Sequence, residues 1–171
     1  MLLSILKEPD PRLRVKAKPV EKVDDEIRQL MDDMLETMYH DEGIGLAATQ
    51  VGSDKRVIVI DLNAGTEEEP DVFYMANPEI LWRSDENSTM QEGCLSVPET
   101  RADVTRPACI KVRYLDRESR QIEMNADGLF ATCIQHEIDH LDGILFIDYL
   151  SRLKQELIYK KLKKLKKFHA L

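Results

Sequence analysis

The spacing of apolar residues along the chain predicts three helices. Between residues 23 and 39, apolar side chains recur every three or four positions, as they do on one face of an amphipathic helix. The same spacing runs over residues 129–141, where Asp142 and Gly143 supply a stop signal. A last helix is predicted after Ser151, with its apolar residues on one side: Leu153, Leu157, Ile158, Leu162, Leu165 and Phe168.

Other segments have the composition of strands. Residues 56–62 are rich in β-branched side chains, which is typical of a buried strand. Residues 108–116 alternate between apolar and charged side chains, as a sheet with one solvated face requires. Further strands are predicted at residues 4–6, 72–81, 121–125 and 144–149. Because helices and mainly antiparallel strands occur in separate runs, we expect an α+β fold. It would be one domain over residues 1–171, with sheets around the helix at 129–141 and a C-terminal helix at 151–169.

The composition indicates a globular protein outside the membrane. Hydrophobic residues make up 43% and charged residues 33% of the chain, as in ordinary soluble domains. No apolar run approaches the roughly 18 residues that a membrane span requires. The opening apolar run is broken by Lys7, too early for a secretory signal. We therefore expect a cytoplasmic protein, acting as a monomer.

The net charge of −8 is distributed unevenly. Residues 149–171 contain eight basic residues and one acidic residue, a charge of +7. The rest contains 16 basic and 31 acidic residues, a charge of −15. An acidic body with a basic C-terminal helix indicates that this helix contacts an anionic partner. A solvated helix face that packs on the body is the plainer alternative.

The most specific motif is His136-Glu137-Ile138-Asp139-His140. On a helix, His136 and His140 are one turn apart and face the same way, so both imidazoles can bind one metal ion. The carboxylate of Glu137 lies beside them and suits the general base of metal-assisted hydrolysis. The segment therefore predicts a catalytic metal site.

A third protein ligand has to come from elsewhere in the chain. Phe146 occupies the position at which one metallopeptidase motif has its third histidine. Cys133 lies roughly 7.5 Å along the helix axis from an ion between the two histidines, whereas a cysteine reaches only roughly 5 Å. Cys109 has no flanking site signal. Cys94 follows a glycine that permits close approach of the backbone, so it is the favoured ligand, with a buried thiol as the alternative.

Three segments together resemble the signature motifs of peptide deformylases. The family patterns are G-x-G-x-A-A-x-Q, E-G-C-x-S and Q-H-E-x-D-H. Residues 43–50 read GIGLAATQ, residues 92–96 read EGCLS, and residues 135–140 read QHEIDH, in the same order. The glycine pair in the first segment would be weak evidence alone, and the three segments together are far more specific.

The resemblance implies an α+β metalloenzyme that removes the formyl group from N-formylmethionyl peptides and releases formate. It implies Cys94, His136 and His140 as metal ligands, and Glu137 as the base that takes a proton from the attacking water. The expected metal is Fe(II), for which zinc, nickel or cobalt can substitute.

The resemblance also implies how substrate is held. The developing oxyanion would be stabilised by the metal, the side-chain amide of Gln50 and the backbone N–H of Leu95. The peptide would lie extended along backbone as an added strand, with methionine in an apolar pocket. The matching positions are Ile44, Gly45, Met90, Gly93, Arg101, Leu129, Thr132 and Cys133. Related enzymes with a basic C-terminal helix suggest that residues 151–169 dock on the ribosome.

Two other readings compete with this one. A metallopeptidase that cuts internal bonds would need a further ligand, which Phe146 does not supply. An RNA- or ribosome-binding protein with a structural metal would need a closed site of four protein ligands. The sequence offers three good ligands, which favours a catalytic site.

Overall fold

A computed structural model describes residues 1–169, and for His169 the backbone alone. Residues 170 and 171, which the single-domain prediction includes, lie outside the described residues. The described chain forms seven strands, three α-helices and three one-turn 3-10 helices. The strands are β1 Gly45–Ala47, β2 Val57–Asp61, β3 Val72–Arg83, β4 Asn87–Cys94, β5 Val97–Pro107, β6 Cys109–Leu115 and β7 Gln121–Asp127. The helices are α1 Asp25–His40, α2 Gly128–Leu141 and α3 Arg152–His169, and the 3-10 turns are Pro11–Arg14, Ala48–Val51 and Phe146–Tyr149. The predicted α+β class is confirmed.

The strands form two antiparallel sheets. The larger has five strands in the order β1-β2-β3-β6-β7, and the smaller pairs β4 with β5. Strand β1 lies at one edge of the larger sheet and pairs only with β2 within the described chain, Leu46 opposite Val59. The edge of β1 and the β4–β5 hairpin both contribute to the lining of one cleft.

Strand β2 is buried along its whole length, and this explains its composition. Because side chains alternate between the faces of a strand, Ile58 and Ile60 pack in the core that includes α2, while Val57 and Val59 pack in the core that includes α1. Each such side chain contributes roughly 1.5–3 kcal/mol through burial. The helix with the metal motif is therefore fixed on the most deeply buried part of the sheet.

Helices α1 and α2 match their predictions to within two residues. Asp24 precedes α1, and its side chain accepts a hydrogen bond from the backbone N–H of Ile27 at 3.0 Å, which caps the helix. After α2 the chain turns at Gly143, whose φ of +75° favours glycine. A Cβ at this position would lie 2.5 Å from the carbonyl oxygen of Arg14, so the turn also needs the absence of a side chain.

Several predicted strands differ from the structure. Residues 4–6 do not join either sheet, although the N–H of Leu6 donates to the carbonyl of Gln50 at 2.8 Å. The predicted strand at 144–149 is wrong, because residues 146–149 form a 3-10 turn. Asp148 explains the turn, since its carboxylate accepts from the N–H of Leu145 at 3.0 Å and its own N–H donates back to Leu145 at 2.9 Å. Strands β1, β4 and β5 were not predicted.

The apolar residues of α3 lie on two faces, not on the one face that the sequence predicts. Leu162 is buried, and with Ile158 it packs against Val97 and Phe146 in a third core cluster. Leu153 and Leu157 are 67% and 58% exposed on the outer face. None of the helices in residues 1–169 combines the length and the apolar character needed to cross a membrane.

Candidate metal centre

Helix α2 carries His136 and Glu137, which line the cleft, and His140, which lies next to His136 and is 1% exposed. The two imidazole rings lie with their centroids 4.9 Å apart, one helical turn from each other. Both histidines and Glu137 are buried. Phe146 stacks beside His136 at 6.0 Å between ring centroids, so the residue at the position of a third histidine packs against the site.

Cys94 approaches the two histidines of α2 from the two-stranded sheet. It is the last residue of β4, and its Sγ lies 3.2 Å from Nε2 of His140. One ligand atom from each of Cys94, His136 and His140 lies within 4.8 Å of the others. Two ligands bound to one ion at roughly 2.0–2.3 Å lie roughly 4 Å apart or less. Small side-chain movements would therefore close this set on an ion.

A buried carboxylate fixes the orientation of His136. Nδ1 of His136 lies 2.9 Å from Glu92 Oε1, which leaves Nε2 for the cleft. Arg106 donates to both oxygens of Glu92, at 2.7 and 3.0 Å, and to Asp139 at 2.8 Å. Burial raises the pKa of Glu92, but the hydrogen bonds from His136 and Arg106 outweigh it and lower that pKa. Glu92 is therefore an anionic partner for the imidazole.

Arg106 supports the site through its contacts with Glu92 and Asp139, and no motif in the sequence indicates it. It lies 30 positions from His136 in the sequence and is 6% exposed, with its guanidinium 5.0 Å from the ring centroid of Tyr149. The hydroxyl of Tyr149 donates to Asp139 at 2.7 Å and completes the network. The sequence alone does not show that Arg106 is buried. Its role beside Glu92 can be recognised only once the pairing of β4 with β5 is known.

Glu137 has the environment of a general base. Its Oε1 is buried and has no hydrogen-bond partner among the described residues. Burial raises the pKa of this carboxyl to about 7, and a cation in the site would act in the opposite direction. Gly45 makes room for it, because a Cβ there would lie 2.5 Å from Glu137 Oε2. The glycine of the first motif is thus explained by a close approach to Glu137.

Gln50 directs its amide group towards Cys94. Its Oε1 accepts from the N–H of Ala47 at 2.9 Å, so the NH₂ group is on the other side. The NH₂ group donates to Ser96 Oγ at 3.0 Å and lies 3.5 Å from Cys94 Sγ. Gln50 is 1% exposed, so this orientation is fixed by packing.

Leu95 follows Cys94 in the turn between β4 and β5 and lines the cleft. Its side chain lies against Gly43, where a Cβ would meet Leu95 Cδ1 at 2.7 Å. The two glycines of the first motif therefore contact the other two motifs, Gly43 at Leu95 and Gly45 at Glu137.

The cleft next to these residues has a volume of about 750 Å³. Most of the predicted substrate-binding residues line it: Ile44, Gly45, Gly93, Arg101, Leu129, Thr132 and Cys133. Met90 is not part of this lining, and its Sδ contacts the lining residue Thr132, 3.4 Å from Oγ1. Burial raises the pKa of Cys133 to about 12, so its neutral thiol is a packing group beside the cleft.

The donor set fits a divalent transition metal. A cysteine sulfur and two imidazoles suit such ions, and three protein ligands leave one position open. Burial lowers the pKa of His140 well below its ordinary value, so its imidazole is neutral and has a lone pair for an ion. A histidine pair on a helix, a cysteine sulfur close to both imidazoles and an adjacent buried carboxylate are the arrangement of a metal-dependent hydrolase.

The chain belongs to the polypeptide deformylase family, whose sequence model matches residues 2–156. The family consists of metal-dependent hydrolases that remove the N-formyl group from new peptides. The chain is 60% identical to the peptide deformylase of Phenylobacterium zucineum over 161 residues, which cover 94% of each protein.

Solved structures show the same fold. The chain is 40% identical to the peptide deformylase of Ehrlichia chaffeensis, with a TM-score of 0.94 over 100% of both chains. A structure of the Ehrlichia chaffeensis enzyme in complex with actinonin matches with a TM-score of 0.89 and 44% identity, covering 95% of this chain and 96% of that one.

Proposed function

We propose that this protein hydrolyses N-formylmethionyl peptides at the metal centre, with Cys94, His136 and His140 as the metal ligands. The observation that carries the proposal is the meeting of three sequence motifs at one cleft. The Cys94 sulfur and the two imidazoles converge there, with the unpartnered Oε1 of Glu137 beside them. A metal ion held by this set supplies Lewis acidity, which lowers the pKa of water and polarises a carbonyl group. We assign Fe(II) to the site, with zinc, nickel or cobalt as substitutes, because the motifs resemble those of iron-dependent deformylases.

Glu137 is assigned the proton transfers. Its carboxylate takes a proton from the attacking water as oxygen bonds to the formyl carbon. It then passes that proton to the amine as the carbon–nitrogen bond breaks and formate leaves. Gly45 leaves room for the carboxylate at this position, because a Cβ there would lie 2.5 Å from Oε2, and such transfers require an accurately placed carboxylate.

Gln50 and Leu95 are assigned the stabilisation of negative charge on the formyl oxygen. The Gln50 amide faces the Cys94 side of the cleft, and Leu95 is the next residue along the chain. Fixed donors in a buried site are strong because they need no rearrangement when charge develops.

The peptide is proposed to lie between the edge of β1 and the β4–β5 hairpin. Ile44, Gly45 and Gly93 would provide backbone pairing, as when a strand joins a sheet edge. The methionine side chain would enter the part of the cleft lined by Leu129, Thr132 and Cys133, with Met90 behind it. Arg101 lies over Gly93, its Cγ 3.4 Å from where a Cβ would be, and would contact the peptide further along.

The experiment is to incubate the protein with an N-formylmethionyl tripeptide and with its N-acetyl counterpart, and to identify all products by mass spectrometry. Release of formate with the tripeptide left intact supports the proposal. Cleavage of an internal peptide bond would point instead to a metallopeptidase.

Helix α3 is proposed to bind the ribosome. Its outward residues include Lys160, Lys163 and Lys164, all exposed, while Leu162 anchors the inner face. Replacing these three lysines with glutamine should weaken ribosome co-sedimentation and reduce its dependence on salt. The matched control changes three exposed lysines of the body, Lys16, Lys18 and Lys22. Equal binding of both triple variants would contradict the docking role.

A further inference from the structure

We propose that residues 6–8 clamp together the two segments that carry the assigned oxyanion donors, and that Lys7 is a positioning residue in this clamp. The inference rests on the proposed roles of Gln50 and Leu95, and it adds a residue that none of the three motifs contains.

Three consecutive residues each donate one hydrogen bond to a donor segment. The N–H of Leu6 donates to the carbonyl of Gln50 at 2.8 Å. The ammonium group of Lys7 donates to the carbonyl of Leu95 at 2.8 Å. The N–H of Glu8 donates to the carbonyl of Ser96 at 2.8 Å. The carbonyl groups of Leu95 and Ser96, which follow the Leu95 N–H in the chain, thus both accept hydrogen bonds from the same short segment, residues 7 and 8.

The clamp is itself anchored in the body of the protein. The carboxylate of Glu8 is buried and accepts from Arg14 at 2.6 Å and from the hydroxyl of Tyr159 at 3.0 Å. Arg14 also pairs with Asp148 at 2.6 Å. The side chain of Glu8 is therefore held directly by Arg14 and by Tyr159 of α3, and Arg14 links it to the 3-10 turn at 146–149.

The two donor segments need such a connection because they belong to different sheets. Gln50 follows β1 of the five-stranded sheet, whereas Leu95 lies in the turn of the two-stranded sheet. Gln50 contacts the hairpin directly through its amide, which donates to Ser96 Oγ at 3.0 Å and lies 3.5 Å from Cys94 Sγ. Both donors must point at one oxygen atom, and a displacement of about 1 Å can lower a rate on the order of 100-fold.

Lys7 is the clamp contact that a substitution can remove without altering the backbone. Lys7→Met keeps the length of the side chain and deletes the donor. We expect kcat to fall about 5- to 20-fold, less than the roughly 10²–10³-fold loss when a donor itself is removed. KM should stay within about twofold, because Lys7 is not among the residues that line the cleft. Lys7→Arg, which can still donate to the carbonyl, should recover most of the loss.

The experiment measures kcat, KM and Tm for wild type, Lys7→Met, Lys7→Arg, the matched control Lys16→Met and the donor variant Gln50→Ala. Wild-type kcat in Gln50→Ala would refute the donor role and with it the clamp. A loss in Gln50→Ala alongside Lys7→Met activity equal to that of Lys16→Met would overturn the clamp and leave the proposed function intact. A lower kcat in Lys7→Met that Lys7→Arg does not restore would also overturn it.

Discussion

Replacing Arg106 with methionine removes the cationic partner of two carboxylates, those of Glu92 and Asp139. The Arg106 and Glu92 side chains are 6% and 5% exposed, so their ion pair is screened little by water. Removing one partner of a buried ion pair typically destabilises by about 3–5 kcal/mol, because the other charge stays buried without compensation. In a domain of this size 1 kcal/mol shifts Tm by about 2–4 °C, so Tm should fall by about 6–20 °C.

The same change should weaken metal binding. Glu92 orients His136 through the 2.9 Å contact to Nδ1, and Arg106 holds Glu92 in place. Loss of such an outer partner typically lowers metal affinity about 10- to 100-fold. Tm has to be measured on metal-free protein in the presence of a chelator, because a bound metal adds its own stabilisation. Affinity is measured separately, by competition with a chromophoric chelator.

A double variant separates the two effects. Arg106→Met combined with Glu92→Met replaces the buried Arg106–Glu92 pair with apolar side chains, which is often neutral or stabilising, and leaves Asp139 with the hydroxyl of Tyr149 as its donor. Its Tm should recover most of the loss, while its metal affinity should stay low because His136 still lacks its acceptor. An Arg106→Met protein that melts within about 2 °C of wild type would refute the stability argument. Wild-type metal affinity in the double variant would refute the positioning argument.

Three further predictions follow from close contacts in the structure. Gly45→Ala should lower kcat by on the order of 100-fold, with metal still bound, because its Cβ would displace Glu137. Gly143→Ala should lower the free energy of unfolding by about 3 kcal/mol or more, since its Cβ would lie 2.5 Å from the carbonyl oxygen of Arg14 at a φ of +75°. Gly65→Ala, at a similar φ of +76° with nothing within 4 Å, should lower it by only about 1 kcal/mol; equal Tm values for the two would contradict this account. Cys94→Ser should lose its metal during dialysis against a weak chelator, as metal analysis would show, since thiolate is the softer ligand.

The elements that bury a regular apolar pattern could be predicted from the sequence. Residues 57–60 are apolar on both faces because helices cover both sides of the sheet, and this gives a continuous apolar run. The α2 helix was recognisable for the same reason, together with its stop at Asp142 and Gly143. These elements carry two of the three proposed metal ligands.

The β4–β5 hairpin could not be predicted in this way. Its outer positions are solvated, and several of its inward positions are polar, including Glu92 and Arg106. The sequence of this hairpin therefore lacks alternating hydrophobicity, because the Glu92–Arg106 ion pair occupies buried positions that apolar side chains would otherwise fill. The hairpin carries Cys94, Leu95 and Arg106, so their meeting with α2 depends on tertiary contacts that local periodicity does not encode.

We propose that Glu137 and a metal ion held by Cys94, His136 and His140 together remove the formyl group. The most direct test is formate release from an N-formylmethionyl tripeptide by protein prepared anaerobically with Fe(II), with Glu137→Ala measured beside it at equal metal content. The account predicts release by the wild type and a loss of at least about 100-fold in the variant, as for removal of a positioned general base. Equal rates, or no release by folded, metal-loaded wild type, would contradict the account.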